Sequence, residues 1–131
     1  RRKEIWIGTP HPGEAATLLG EQINDRFEAL HKLSNKFGGI WVLKGAGTLV
    51  GPNPTFVNPF SNSILATAGS GDILSGIIGG LVSQKVIEPE ILGVYLHSES
   101  ARLVISSGKK TMIASDLLEK IGVALNHLKN E

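Results

Sequence analysis

The chain of 131 residues contains no cysteine. That excludes a disulfide framework and a thiolate metal site, and it fits a reducing, cytoplasmic setting. Charge imbalance is also missing: 13 Lys and Arg stand against 12 Asp and Glu, a net charge of +1. Neither nucleic acid nor an anionic membrane surface is therefore expected as a partner. No apolar run approaches the roughly 18 residues that a transmembrane helix needs. The basic start, RRKEIWIGTPHPGE, lacks the long apolar core and cleavage site of a signal peptide. There is no internal repeat and no low-complexity tract. What is present is a globular composition, 41% hydrophobic and 19% charged, with 16 glycines. The length suffices for one domain with a real core.

The rest of the chain is organised around Asn62–Leu81, NSILATAGSGDILSGIIGGL. Small residues crowd its middle, then Asp72 opens an apolar helical pattern through Leu74, Ile77, Ile78 and Leu81. A glycine-rich turn feeding a helix offers backbone N–H groups and a positive dipole end, so Gly69, Ser70 and Gly71 form a candidate anion hole. Asp72 has two readings. It either charges the helix N-terminus, or takes a proton from a hydroxyl that attacks a phosphoryl group. A Walker A loop is excluded because no lysine follows these glycines. The dinucleotide fingerprint fails as well, its third glycine position being Leu74. Gly76, Gly79 and Gly80 weaken the helix interior, which predicts that another helix or a bound nucleotide packs very close there.

Upstream, Glu4–Gly8 reads as a buried strand that runs into Thr9-Pro10-His11-Pro12-Gly13-Glu14. The prolines impose a turn, Pro12 and Glu14 suit a helix start, and Gly20 stops the short helix. His11 is either a rigid-turn residue or a ligand at a strand end, where α/β proteins place their sites. Asn24–Phe37 reads as a second helix with Phe27, Leu30 and Leu33 on its apolar side, and with Asp25, Arg26, Glu28 and Lys32 as solvent charges. Ile40–Leu43 is expected to be a central buried strand. Lys44, Gly45, Ala46, Gly47 and Thr48 follow it: a phosphate-approaching loop, or equally a hairpin turn leading into β-prone residues. Gly51–Pro54 is a turn and Thr55–Val57 a brief strand. Ile91–Ile105 is a long helix holding His97, read as a solvated or core histidine. Ser115 is the expected N-cap of a last helix with Asp116 and Glu119 in its first turn. Strands alternating with helices predict an α/β class with a mostly parallel, three-layer sheet.

These strings resemble one superfamily. ATAGSGD opening an apolar helix is similar to the G-[ST]-G-D anion-hole motif of ribokinase-like kinases. The longer NSILATAGSGDILSGIIGGL resembles the ADP/ATP-dependent NAD(P)H-hydrate dehydratase branch, which commonly has a second glycine where Ala68 stands. TPHPGE, LKGAGT, GVYLH at Gly93–His97 and ASDL at Ala114–Leu117 match that branch in order. The resemblance implies a ribokinase-like α/β/α fold and a repair reaction, in which hydrated NADH or NADPH (NAD(P)HX) is dehydrated with ATP or ADP and Mg²⁺. It implies His11 at the hydrated nicotinamide, Asp72 at the substrate hydroxyl as base, and the nucleotide along Lys44–Thr48 and at Gly71. The family domain is about twice this length, so the chain is expected to be its C-terminal half. Self-association, or association with an N-terminal half, is then expected. A small-molecule kinase and a non-catalytic nucleotide-binding fragment are the alternatives.

Overall fold

A computed structural model describes residues 6–60, 69–108 and 114–129. The chain divides into two compact units, Arg1–Phe60 and Ser61–Glu131. The first runs β1 (Ile7–Gly8), α1 (Pro12–Leu19), α2 (Arg26–Phe37), β2 (Ile40–Leu43), β3 (Thr48–Gly51) and β4 (Phe56–Asn58). The second has α3 (Ser70–Ser83), α4 (Pro89–Ser106) and α5 (Ala114–Lys129). Residues 62–68 of the central stretch, including Ala68, and Glu4–Ile5 of the first predicted strand lie outside the described residues.

In the first unit the sheet order is β1-β2-β3-β4. Ile7 pairs with Ile40 and Gly8 with Trp41 in parallel, whereas β2–β3 and β3–β4 are antiparallel. The described sheet is thus mixed, where a mostly parallel one was expected. The reason is local: Lys44–Gly47 turns the chain straight back, so β2 and β3 form a hairpin, with Leu43 opposite Leu49. The hairpin reading of that loop is therefore met, and it leaves the phosphate reading open. Trp41, Val42 and Leu43 are buried, as a central strand should be. The core gathers Ala15, Ala29, Leu30, Leu33, Trp41, Leu43 and Leu49. Gly8 is required here, since a Cβ would sit 2.5 Å from the Trp41 ring.

Helix α1 starts and stops where Pro12 and Gly20 suggest, with Gly20 left-handed at φ 70°. Helix α2 is capped by Asp25, whose carboxylate accepts from the N–H groups of Phe27 and Glu28. Asp25 is exposed, as a solvent charge should be, and is also the cap. Phe27 is 50% exposed and not part of the apolar side, because the stripe that faces the sheet is Ala29, Leu30 and Leu33.

In the second unit α4 packs against both α3 and α5. Buried Leu74 and Ile78 of α3, Leu96 and Val104 of α4, and Leu117 and Ala124 of α5 form its interior. Among the described residues no helix packs close at Gly76, Gly79 and Gly80, and the bound-nucleotide alternative stays open. A Cβ on each meets no described atom within 4 Å, because all three lie on the exposed side of α3. The tight contact is instead at Gly93, where a Cβ would stand 2.5 Å from Ile78 Cγ1. Helix α5 begins at Ala114, so Ser115 lies within its first turn and is not the cap.

Candidate functional site

The TPHPGE turn leaves the C-terminal end of β1. His11 caps α1: its Nδ1 accepts from Glu14 N–H at 3.1 Å, and Glu14 Oε1 accepts from His11 N–H at 3.1 Å. This reciprocal pair is a capping box built with an imidazole in place of the usual hydroxyl or carboxylate. An acceptor Nδ1 fixes the ring's proton on Nε2 in the neutral state, and Nε2 lies 3.2 Å from Glu14 Oε1. The Glu14 carboxyl is held below its ordinary range. The His11 N–H bond is the largest cause, opposed by slight desolvation and aided by the charges of His11 and Lys44. Glu14 thus has the helix-start role its position suggests. Both side chains remain more than half exposed, so the imidazole is accessible from solvent.

Because β1 and β2 run parallel, the segments after them emerge at the same end of the sheet. Lys44 N–H donates to Pro10 C=O at 3.0 Å, tying LKGAGT to TPHPGE through the backbone. The structure thereby brings together His11, Glu14 and Lys44, residues separated by a whole helix pair in sequence. Gly45 (φ 152°) and Gly47 (φ 71°) give the loop a shape that side-chain-bearing residues rarely adopt. Arg26, expected to be a solvent charge, instead donates from Nη1 to Gly47 C=O at 2.9 Å and from Nη2 to Ala46 C=O at 2.5 Å. Thr48 opens β3 opposite Asn58.

The second unit holds the other motif. Gly69, left-handed at φ 85°, is the N-cap of α3, and Ile73 N–H makes the first intrahelical bond to its carbonyl at 3.1 Å. Ser70, Gly71 and Asp72 therefore occupy the first turn, whose N–H groups have no intrahelical acceptor. Asp72 is exposed, while Ser70 is buried at 2% exposure. His97 of α4 is 8% exposed, and its Nε2 lies 2.9 Å from Ser70 C=O and 3.0 Å from Ser70 Oγ. A carbonyl can only accept, so Nε2 carries the proton and the histidine donates to Ser70. The core reading of His97 holds, with the addition that its partner is Ser70 of the candidate anion hole. Sequence reasoning missed both this bond and the Arg26 clamp. Neither has a local signal, since their partners lie 20 to 27 residues away.

A sequence profile of the NAD(P)H-hydrate dehydratase family matches residues 1–122. The chain belongs to that family. The match takes in the TPHPGE, LKGAGT and GSGD segments together. The bifunctional NAD(P)H-hydrate repair enzyme Nnr of Coxiella burnetii is 44% identical over 134 residues, covering 95% of this chain and 28% of that protein. The ADP-dependent (S)-NAD(P)H-hydrate dehydratase of Neisseria meningitidis serogroup B is 44% identical over 133 residues, covering 95% and 44%. The Bacillus subtilis ADP/ATP-dependent NAD(P)H-hydrate dehydratase, co-crystallised with ATP and Mg²⁺, superposes with a TM-score of 0.86 at 29% identity. That superposition covers 97% of this chain and 49% of the Bacillus protein. A ribokinase-like superfamily protein of Enterococcus faecalis matches with a TM-score of 0.73 at 27% identity, covering 95% of this chain and 44% of that one. The fold is accordingly ribokinase-like α/β. The chain spans about a quarter to a half of the length of these relatives.

Proposed function

We propose that this chain takes part in ADP- or ATP-dependent dehydration of hydrated NADH or NADPH, the activity for which its relatives are named. The observation that carries the reading is the 3.0 Å bond from Lys44 N–H to Pro10 C=O. It sets an accessible imidazole beside a lysine- and glycine-rich loop at one end of a sheet. His11 meets the hydrated nicotinamide ring. Lys44, Gly45, Ala46, Gly47 and Thr48 hold the adenine nucleotide, with Gly71 a further contact.

Asp72 accepts the proton of the ring hydroxyl as that oxygen attacks the terminal phosphorus of the nucleotide. The O–H bond breaks, the O–P bond forms, and the shortened nucleotide leaves. Charge on the transferring group is met by the N–H groups of Gly69, Ser70 and Gly71 and by the positive end of α3. Loss of phosphate from one ring carbon and of a proton from its neighbour then restores the ring double bond. Among the described residues no cluster of three or more His, Asp or Glu could hold a metal. The ion the reading calls for is Mg²⁺ carried on the nucleotide phosphates. When bound there, the ion supplies charge neutralisation to the phosphates.

The 131 residues are read as the C-terminal portion of one such domain, acting with its N-terminal portion. The relatives support this reading, since this chain aligns along nearly all of its own length with only part of theirs. Among the described residues no helix is long and apolar enough to cross a membrane.

The test is recovery of reduced-nicotinamide absorbance from hydrated NADH by the intact gene product. Recovery should need ATP or ADP. Phosphorylation of a sugar or vitamin-precursor alcohol, with hydrated NADH untouched, would make the protein a small-molecule kinase instead.

A further inference from the structure

We infer that Arg26 is a positioning residue for nucleotide, acting from behind the Lys44–Thr48 loop. This rests on the reading of that loop as the nucleotide site. Arg26 is the first residue of α2, just after the Asp25 cap, and is half-buried. Its guanidinium spans two consecutive carbonyls, Ala46 and Gly47, at 2.5 and 2.9 Å. In extended backbone successive carbonyls point to opposite sides. Here both face one cation, an arrangement that Gly47 allows through its φ of 71°.

The consequence follows from peptide planarity. In a trans peptide the C=O and N–H point opposite ways. Drawing Ala46 C=O towards Arg26 turns the N–H of Gly47 away from it. A cation on the carbonyl also polarises the same peptide, making that N–H a stronger donor to an anionic oxygen. Drawing Gly47 C=O inward fixes the peptide that delivers Thr48 to its place opposite Asn58. The packing agrees: a Cβ at Gly45 would sit 2.9 Å from Arg26 Nη1, so a side chain there would push the guanidinium from its present place. A lysine could supply the charge but not the fork, since its ammonium is a single point donor group.

The experiment is ATP and ADP titration by calorimetry of the intact gene product as wild type, Arg26→Lys and Arg26→Gln. Steady-state kinetics, thermal midpoints and Gly47 amide hydrogen exchange accompany it. Both variants should raise nucleotide Kd and KM about tenfold, the effect of a lost charge-assisted bond. The kcat at saturating nucleotide should fall less than about threefold. The Gly47 amide should exchange faster in both variants. Wild-type affinity in Arg26→Lys would overturn the inference, as charge alone would then suffice. A lowered thermal midpoint with unchanged Kd would also overturn it, leaving Arg26 a purely structural brace. Failure of the wild type itself to bind either nucleotide would instead remove the reading of the loop on which the inference stands.

Discussion

The loop after β2 and the start of α3 are both candidate anion sites, and they are built in opposite ways. The loop is tied from several directions. Lys44 N–H is bonded to Pro10, Arg26 grips two of its carbonyls, and two glycines sit at φ values of 152° and 71°. Its shape is specified bond by bond. The helix start relies on a general property of helices, with a glycine cap that brings no side chain. Among the described residues its side-chain brace is His97 on Ser70, and the candidate base, Asp72, is exposed. A shaped loop suits recognition of a particular ligand. A helix end with one acid suits charge stabilisation and proton transfer. Changes in the loop should therefore alter affinity, and changes at the helix start should alter turnover.

The strongest test of that division is Asp72→Asn. It should lower kcat by about 10²–10⁴ while nucleotide Kd moves only a few-fold, since a general base acts on the chemical step. Paired turnover and titration measurements on one preparation would show this. Gly71→Val should blur the division in an informative way. Its side chain would occupy the phosphate's approach, so affinity should fall at least about tenfold along with turnover. Unchanged ATP and ADP affinity in a folded variant would remove Gly71 from the nucleotide site.

His97→Phe keeps the bulk at α4 but leaves Ser70 without its donor. Chemical denaturation should show a loss of about 1–3 kcal/mol. Turnover should fall too, with nucleotide KM little changed, because the brace belongs to the helix start rather than to the loop. His97→Gln, which keeps an N–H donor, should recover part of both losses.

The smallest effect is expected at the capping box. Glu14 has a depressed pKa in the folded chain, first through the His11 N–H bond. Its stabilising contribution is therefore present above the ordinary carboxylate pKa and is lost as pH falls through the depressed one. Urea unfolding of wild type and Glu14→Gln should differ slightly at neutral pH and converge in acid. The gap is small because the group is exposed and glutamine can still cap. A gap that widens in acid would contradict the assignment.

Much of this was legible in the sequence, for reasons that can be traced to particular residues. Gly20, Pro12 and the Ile40–Leu43 run act locally, so α1 and β2 fall where their chemistry puts them. The site motifs are also contiguous strings, and the family profile covers them. Strand direction was not legible, because Lys44–Gly47 suits a loop before a crossover and a hairpin equally well. A missing Cβ signals close helix packing only where a neighbour exists, and among the described residues of this unit that neighbour is at Gly93 rather than at the three glycines of α3. Arg26 and His97 carry no sequence mark of their roles. Each acts on backbone atoms of a distant segment, and a carbonyl has no residue identity to read.

The central claim is that the loop sets affinity and the helix start sets turnover. Measuring nucleotide KM and kcat for Gly47→Ala and Asp72→Asn side by side tests it most directly. Alanine at φ 71° is strained by about 1–2 kcal/mol, enough to distort the loop without touching the helix. The account predicts a nucleotide KM raised about tenfold with kcat nearly kept in Gly47→Ala, and kcat lost with KM nearly kept in Asp72→Asn. Near-wild-type kcat in Asp72→Asn, or a Gly47→Ala enzyme that loses kcat at unchanged KM, would contradict it.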